Sequence, residues 1–235
     1  MSNDFFSFKQ FTVRHDRCAM KVGTDGTLIG AWAAGGKRVL DIGTGTGLIA
    51  LMMAQRFAHA QVDAIDIDGD ACSQAEDNVA RSPFAGRICV FNASLQQFLQ
   101  RKPIAGAYDA IVSNPPFFAD SLRNPDARRS MARHTDSLSF ADLFRGVDRL
   151  LSSEGHFSVV IPTDRRGEML SEASIFGFHL HREVLVKTVE RKHPKRCMLD
   201  FSKEDAEETD SRTVVMMEQG ERSEWYKALT KDFYL

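Results

Sequence analysis

Apolar residues along this 235-residue chain follow two alternating patterns. Short continuous runs, "RVLDI", "QVDAIDI", "RICVF", "YDAIVS" and "HFSVVIP", are bounded by polar or glycine-bearing segments, as strands buried on both faces require. Between them lie segments such as "GLIALMMAQRF", "DACSQAEDNVARS" and "SFADLFRGVDRLL", whose apolar residues recur at helical spacing. Strands separated by helices pair in parallel through right-handed crossovers, which predicts an α/β fold. "HLHREVLVKTV", "RCMLDFS" and "RTVVMM" then follow one another without a helix, so an antiparallel pair is expected to close one edge of the sheet. Residues 1–35 precede the first strand and read as an arm packed on a single domain formed by residues 36–235. "SEWYKALTKDFYL" reads as a closing amphipathic helix.

Composition narrows the class. A chain of this length that is 43% hydrophobic can bury a large core without staples. Cys18, Cys72, Cys89 and Cys197 form no C-x-x-C pair, so neither a disulfide framework nor a zinc ribbon is suggested and no metal is expected. Nothing near Met1 has the basic head and apolar core of a signal peptide, and no apolar run reaches the length of a membrane span. A cytoplasmic protein with no membrane association and no obligate protein partner is the expectation. The net charge of −2 argues against nonspecific coating of nucleic acid, yet the charge is segregated. Basic residues gather in the arm, between Arg123 and His134, and from Lys187 to Arg196; acids gather in "SKEDAEETD", which reads as a solvated loop.

"VLDIGTGTGLIA" is a strand, a glycine-rich turn and a helix start, an arrangement that brings bare backbone close to a ligand. Gly43, Gly45 and Gly47 follow G-x-G-x-G, and Leu48 stands where a dinucleotide fingerprint would place its last glycine, which disfavours a nicotinamide or flavin pyrophosphate. Asp41 would repel a pyrophosphate but suits a cationic amino group such as that of S-adenosylmethionine. About twenty residues beyond the turn, Asp66 ends a second strand, placed to accept both hydroxyls of a ribose, with Ile67 beside it and Asp68 as the neighbouring alternative. A glycine turn of this kind also occurs for packing alone; the turn together with both acids points to a nucleoside.

"SNPPFF" follows the fourth strand, at the carboxyl edge where ligands of such sheets bind. Two prolines end the ladder of backbone bonds and hold Asn114 and Phe117 in a stiff, extended geometry. A planar amino group on a base or amide is a poor nucleophile because its lone pair is delocalised. The side-chain carbonyl of Asn114 and the backbone carbonyl of Pro115 can accept its two N–H bonds, Pro116 fixes the turn, and Phe117 can stack on the flat group.

These motifs make the chain resemble the class I S-adenosylmethionine-dependent methyltransferases that methylate amino groups and carry (D/N/S)-P-P-(F/Y). With "FKQFTVRHDRCAMKVGTDGTLIGAWA" and "ALTKDFYL" added, it is similar over nearly its whole length to the bacterial tRNA(Val) adenine-N6 methyltransferases. The resemblance implies a Rossmann-like, mostly parallel seven-stranded sheet with an antiparallel C-terminal edge and helices on both faces. It implies S-adenosylmethionine as cofactor, S-adenosylhomocysteine as product, and a tRNA anticodon stem-loop as partner. It also implies that "KVGTDG" closes over the cofactor, which makes Lys21, Gly23, Thr24 and Asp25 candidates. The family usually has an acid near the cofactor adenine after the third strand, where this chain offers Ser94, with Ala93 as a backbone contact. Lys9, Arg14 and Arg17 of the arm and Arg128, Arg129 and Arg133 beyond the double proline are the candidate phosphate contacts. Guanine-N2 and glutamine amide targets use the same motif and stay open on the residues alone, as does a non-catalytic RNA-binding protein.

Overall fold

Residues 4–18, 21–101, 105–116 and 138–235 are described by the structure, a computed structural model. Phe5–Ser7 (β1) and Thr12–Arg14 (β2) pair as an antiparallel hairpin, and helix α1 follows at Thr24–Trp32. The main sheet then begins with β3 (Arg38–Ile42), α2 (Leu48–Arg56), β4 (Gln61–Asp66), α3 (Gly69–Ala80), β5 (Ile88–Asn92), α4 (Leu95–Arg101) and β6 (Tyr108–Ser113). After α5 (Phe140–Leu150), β7 (Leu151–Pro162) and α6 (Arg166–Ile175), strands β8 (His179–Val189), β9 (Arg196–Ser202), β10 (Asp210–Glu218) and β11 (Glu221–Arg222) follow. Helix α7 (Glu224–Thr230) is the last element.

In space the strands run β11-β10-β8-β9-β7-β6-β3-β4-β5. Strands β5, β4, β3, β6 and β7 are parallel, and β9 is antiparallel to both β7 and β8. The α/β class and the mostly parallel sheet agree with the sequence. The antiparallel C-terminal edge is also present, with β9 against β8 and β11 against β10, but the expected count of seven strands needs correction: among the described residues the main sheet has nine, and β10 joins β8 in parallel. The reason lies in burial. Strand β9 is buried along almost its whole length, with Cys197, Leu199 and Phe201 on one face and Asp200 on the other held by His156 and Arg182, so it belongs inside the sheet, whereas half-exposed β10 suits a position near the edge.

The sheet divides two apolar layers. On one face Leu28 and Ile29 of α1, Leu51 and Met52 of α2, and Tyr226 and Phe233 at the end of the chain pack with Phe8, Phe11 and Val13 of the hairpin. On the other, Phe98 of α4, Leu143 and Phe144 of α5, and Met169 of α6 pack against β6, β7 and β9. Each fully buried side chain of this kind contributes about 1.5–3 kcal/mol. Among the described residues no helix is long and apolar enough to cross a membrane.

Candidate active site

The chain leaves β3 for β4 on one side and later returns to β6 on the other, so a crevice opens at the carboxyl end of β3. The turn that follows β3 lies there. Gly43, Gly45 and Gly47 have φ of 75°, 53° and 80°, a region that only glycine adopts without cost. A Cβ on Gly47 would sit 3.3 Å from Ala75 Cβ on α3, while one on Gly43 or Gly45 would meet nothing within 4 Å. The turn is packed at its base and open at its tip. Its amides do not cradle an anion: Gly43 N–H and Thr44 N–H donate to the Ile65 carbonyl at 2.9 and 3.0 Å, and Gly45 N–H donates to Asp66 Oδ2 at 2.8 Å.

Asp41 is fully buried beneath this turn. Its Oδ2 accepts from Thr44 Oγ1 at 2.6 Å and from Ala50 N–H at 3.2 Å, and its Oδ1 has no partner among the described residues. Burial, offset in part by the Thr44 and Ala50 bonds and reinforced by Asp66, pushes its pKa up to about 7. Asp66 is half-buried, and Asp68 N–H reaches its Oδ1 at 3.0 Å. Burial raises its pKa against the opposing pull of its backbone bonds. Beside it Ile67 is 47% exposed, an apolar surface at the lip of the crevice. Asp68 caps α3, accepting from Asp70 N–H and Ala71 N–H.

Two expected adenine contacts are already engaged. Ala93 is buried and its N–H donates to the Asp66 carbonyl at 2.9 Å. Ser94 forms a reciprocal capping box with Gln97: Ser94 N–H donates to Gln97 Oε1 at 3.0 Å and Gln97 N–H to Ser94 Oγ at 3.1 Å.

Across the crevice, Ser113 Oγ donates to the Ile42 carbonyl at 2.8 Å, tying the ends of β6 and β3 together below the site. This brings Asn114 beside the glycine turn. Asn114 is half-buried with no hydrogen-bond partner among the described residues, Pro115 is buried and Pro116 exposed. Phe117 lies outside the described residues, as do Arg128, Arg129 and Arg133.

The arm reaches the same region in part. Lys21 and Gly23 are exposed, Thr24 opens α1, and Asp25 in its first turn pairs with Arg196 at 2.6 Å. Arg17 pairs with Asp77 and bonds Ser73 on α3. Arg14 is held through its backbone by Asn78, whose side chain also donates to the Thr46 carbonyl at 2.9 Å, linking the arm to the glycine turn. Sequence reasoning missed Asn78 and Ser113; a polar residue in an apolar stripe was the available signal. Lys9 bonds the Lys231 carbonyl and, with Arg14 and Arg81, lines a shallow depression of about 480 Å³. Arg81 ends α3, whose twelve residues separate it from the crevice by roughly 18 Å.

Residues 27–177 match the family model of the methyltransferase small domain. The chain is 48% identical to the tRNA1(Val) (adenine(37)-N6)-methyltransferase of Parabacteroides distasonis, an alignment covering 100% of this chain and 99% of that one. It is 44% identical to the Klebsiella pneumoniae protein of the same name, over 98% and 94% of the two chains. A solved structure described as a predicted O-methyltransferase from Agrobacterium tumefaciens superposes with a TM-score of 0.66 at 17% identity, over 89% of this chain and 96% of that one, a likeness of fold. With the greater part of its residues inside the family model and its relatives aligned from end to end, the chain belongs to the methyltransferase small domain family.

Proposed function

We propose that this chain transfers a methyl group from S-adenosylmethionine to the N6 amine of adenine 37 in tRNA1(Val), in the cytoplasm. The observation that carries the reading is the end-to-end likeness, at 48% identity, to relatives named for that reaction, joined to an Asn114 beside the glycine turn that has no hydrogen-bond partner among the described residues.

The residues fit the cofactor. Asp41 offers a buried oxygen with no partner among the described residues for a cationic amine, and no described side chain stands over the open face of Gly43 and Gly45. Asp66 retains a lone pair on each oxygen for ribose hydroxyls, and Ile67 presents apolar surface to a flat base. Lys21, Gly23, Thr24 and Asp25 belong to the same binding surface on the strength of the family resemblance. Bound there, the cofactor supplies an activated methyl group on a sulfonium.

Asn114 and the Pro115 carbonyl orient the target amine. Its two N–H groups donate to these acceptors, which turns the nitrogen lone pair toward the incoming methyl without a tuned general base. Phe117 stacks on the flipped base, an anticodon-loop nucleotide that costs little to unstack. Arg17, Arg128, Arg129 and Arg133 contribute phosphate contacts in this reading; Lys9 and Arg14 reach RNA only where it extends along α3.

The test is nucleoside mass spectrometry of tRNA incubated with the protein and labelled S-adenosylmethionine. N6-methyladenosine at position 37 is expected. Label in N2-methylguanosine or in protein glutamine, with none in adenosine, would overturn the proposal.

A further inference from the structure

The basic run from Lys187 to Arg196 folds into the end of β8 and the turn that leads to β9. Its place follows from strand register. Val159 of β7 pairs in parallel with Ser113, so the end of β7 lies level with Asn114 and Pro115. Pro162 at that end pairs with Arg196, and Arg196 pairs with Val186 of β8. The turn therefore emerges from the carboxyl edge of the sheet, the edge that carries Asn114. It stands three strand spacings, or roughly 15 Å, from β6. Strand β8 continues to Val189, so the tip projects about 10 Å beyond that level.

Charge at the tip is uncompensated. Lys187 is held by Glu190 at 3.3 Å and Arg196 by Asp25. Arg191, Lys192, His193 and Lys195 are exposed, and none makes an ion pair or side-chain hydrogen bond with a described residue. The next hairpin outward, β10–β11, presents Glu218 and Glu221 at the same edge, which bounds the positive charge on its outer side, and on the inner side Asp164 follows the end of β7. Unneutralised Arg and Lys on a projecting turn, at the rim of a site that takes a nucleotide, are suited to a phosphate backbone.

We propose that the Arg191–Lys195 turn is a phosphate clamp for the RNA substrate, gripping the backbone on the β8 side while the target base enters beside Asn114. The inference rests on the reading of the chain as an RNA methyltransferase. A reach of 15 Å corresponds to roughly four phosphates along a stacked strand, so the clamp meets the RNA a few nucleotides from the base being modified.

The experiment compares wild-type protein with the Arg191→Gln, Lys192→Gln, Lys195→Gln triple variant, using a tRNA1(Val) transcript across a salt series and S-adenosylhomocysteine by calorimetry. The RNA dissociation constant should rise about 10- to 30-fold at low salt, and the slope of log affinity against log salt should flatten by about two. Cofactor affinity and the methylation rate at saturating RNA should not change. A charge-keeping variant, Arg191→Lys with Lys192→Arg and Lys195→Arg, should bind RNA as the wild type does. Unchanged affinity and slope in the neutral variant would overturn the clamp and leave the turn to solvent or to an acidic protein. An equal loss in the charge-keeping variant would overturn it as well. Wild-type protein that neither bound nor methylated the transcript would overturn the functional reading, and the clamp with it.

Discussion

Asp66 at the end of β4 accepts the backbone N–H of Gly45, in the turn that follows β3, with 2.8 Å between Oδ2 and the nitrogen. One carboxylate thus shapes the glycine turn from the neighbouring strand and still keeps acceptor capacity for a ligand. Asp66→Ala should weaken S-adenosylmethionine and S-adenosylhomocysteine together by about 1 to 3 kcal/mol and lower the melting temperature, because Gly45 loses its acceptor. Asp66→Asn, whose one carbonyl oxygen can replace the acceptor for Gly45 or for Asp68 but not for both, should restore part of the melting temperature and little of the affinity. Calorimetry beside a thermal melt checks both, and NADH should give no binding heat.

Asp41 should make both stability and cofactor affinity depend on pH. Unfolded, its carboxyl ionises near the ordinary value of 3.8; folded, it holds its proton to about pH 7. The native state therefore binds the extra proton between these values, and the contribution of Asp41 to stability falls as pH rises through that window. Pairing with a cationic amine needs the anion, so cofactor affinity should rise with pH up to about 7 and level off above it, with a proton released on binding below pH 7. Asp41→Asn, which keeps an acceptor for Thr44 and Ala50, should flatten both profiles. Melting curves and calorimetry from pH 5 to 8 provide the check; an unchanged cofactor profile in the variant would remove Asp41 from the amine site.

The glycines should separate by position. Gly47→Ala places a methyl against Ala75 at a φ of 80°, so it should cost about 1 to 2 kcal/mol of stability, and Ala75→Gly should recover only part because the backbone strain stays. Gly45→Ala projects into open space, so beyond the strain it should act chiefly on cofactor affinity. Denaturant melts and cofactor titration of the two variants tell these apart.

Strands buried on both faces were the most legible part of the chain. "RVLDI" and "YDAIVS" coincide with β3 and β6 residue for residue, because a parallel strand needs an uninterrupted apolar run and little else. At the C-terminal edge the antiparallel pairing of β8 with β9 was legible, but the direction of β10 was not, since it takes β8 as a parallel neighbour across the sheet. The three-residue strands β1 and β2 are too short to carry a period. In the crevice, side-chain types announced Asp41, Asp66 and Asn114. Their second partners, Gly45 for Asp66 and Thr44 for Asp41, are products of the fold. Ser94 illustrates the reverse case: expected near a cofactor adenine, it caps α4 with Gln97, and its S-x-x-Q spacing was the unused signal.

Phe117 follows the double proline and is assigned to stacking on the target base. Phe117→Ala should weaken productive capture of RNA by about 1 to 3 kcal/mol, and Phe117→Tyr should be tolerated because the ring face is kept. The dependence of the single-turnover rate on RNA concentration distinguishes them: the alanine variant should need more RNA to reach its plateau.

Asn114 carries the central claim, that this site aims an exocyclic amine at the cofactor methyl. The decisive measurement is the single-turnover methylation rate of Asn114→Ala at saturating cofactor and tRNA, taken beside its melting temperature and S-adenosylhomocysteine affinity. Asn114→Ala should give a well-folded protein with near-normal cofactor binding and a rate reduced about 100-fold or more, the loss of one preorganised contact worth roughly 2.7 to 4 kcal/mol. Wild-type methylation by a well-folded Asn114→Ala protein would contradict it.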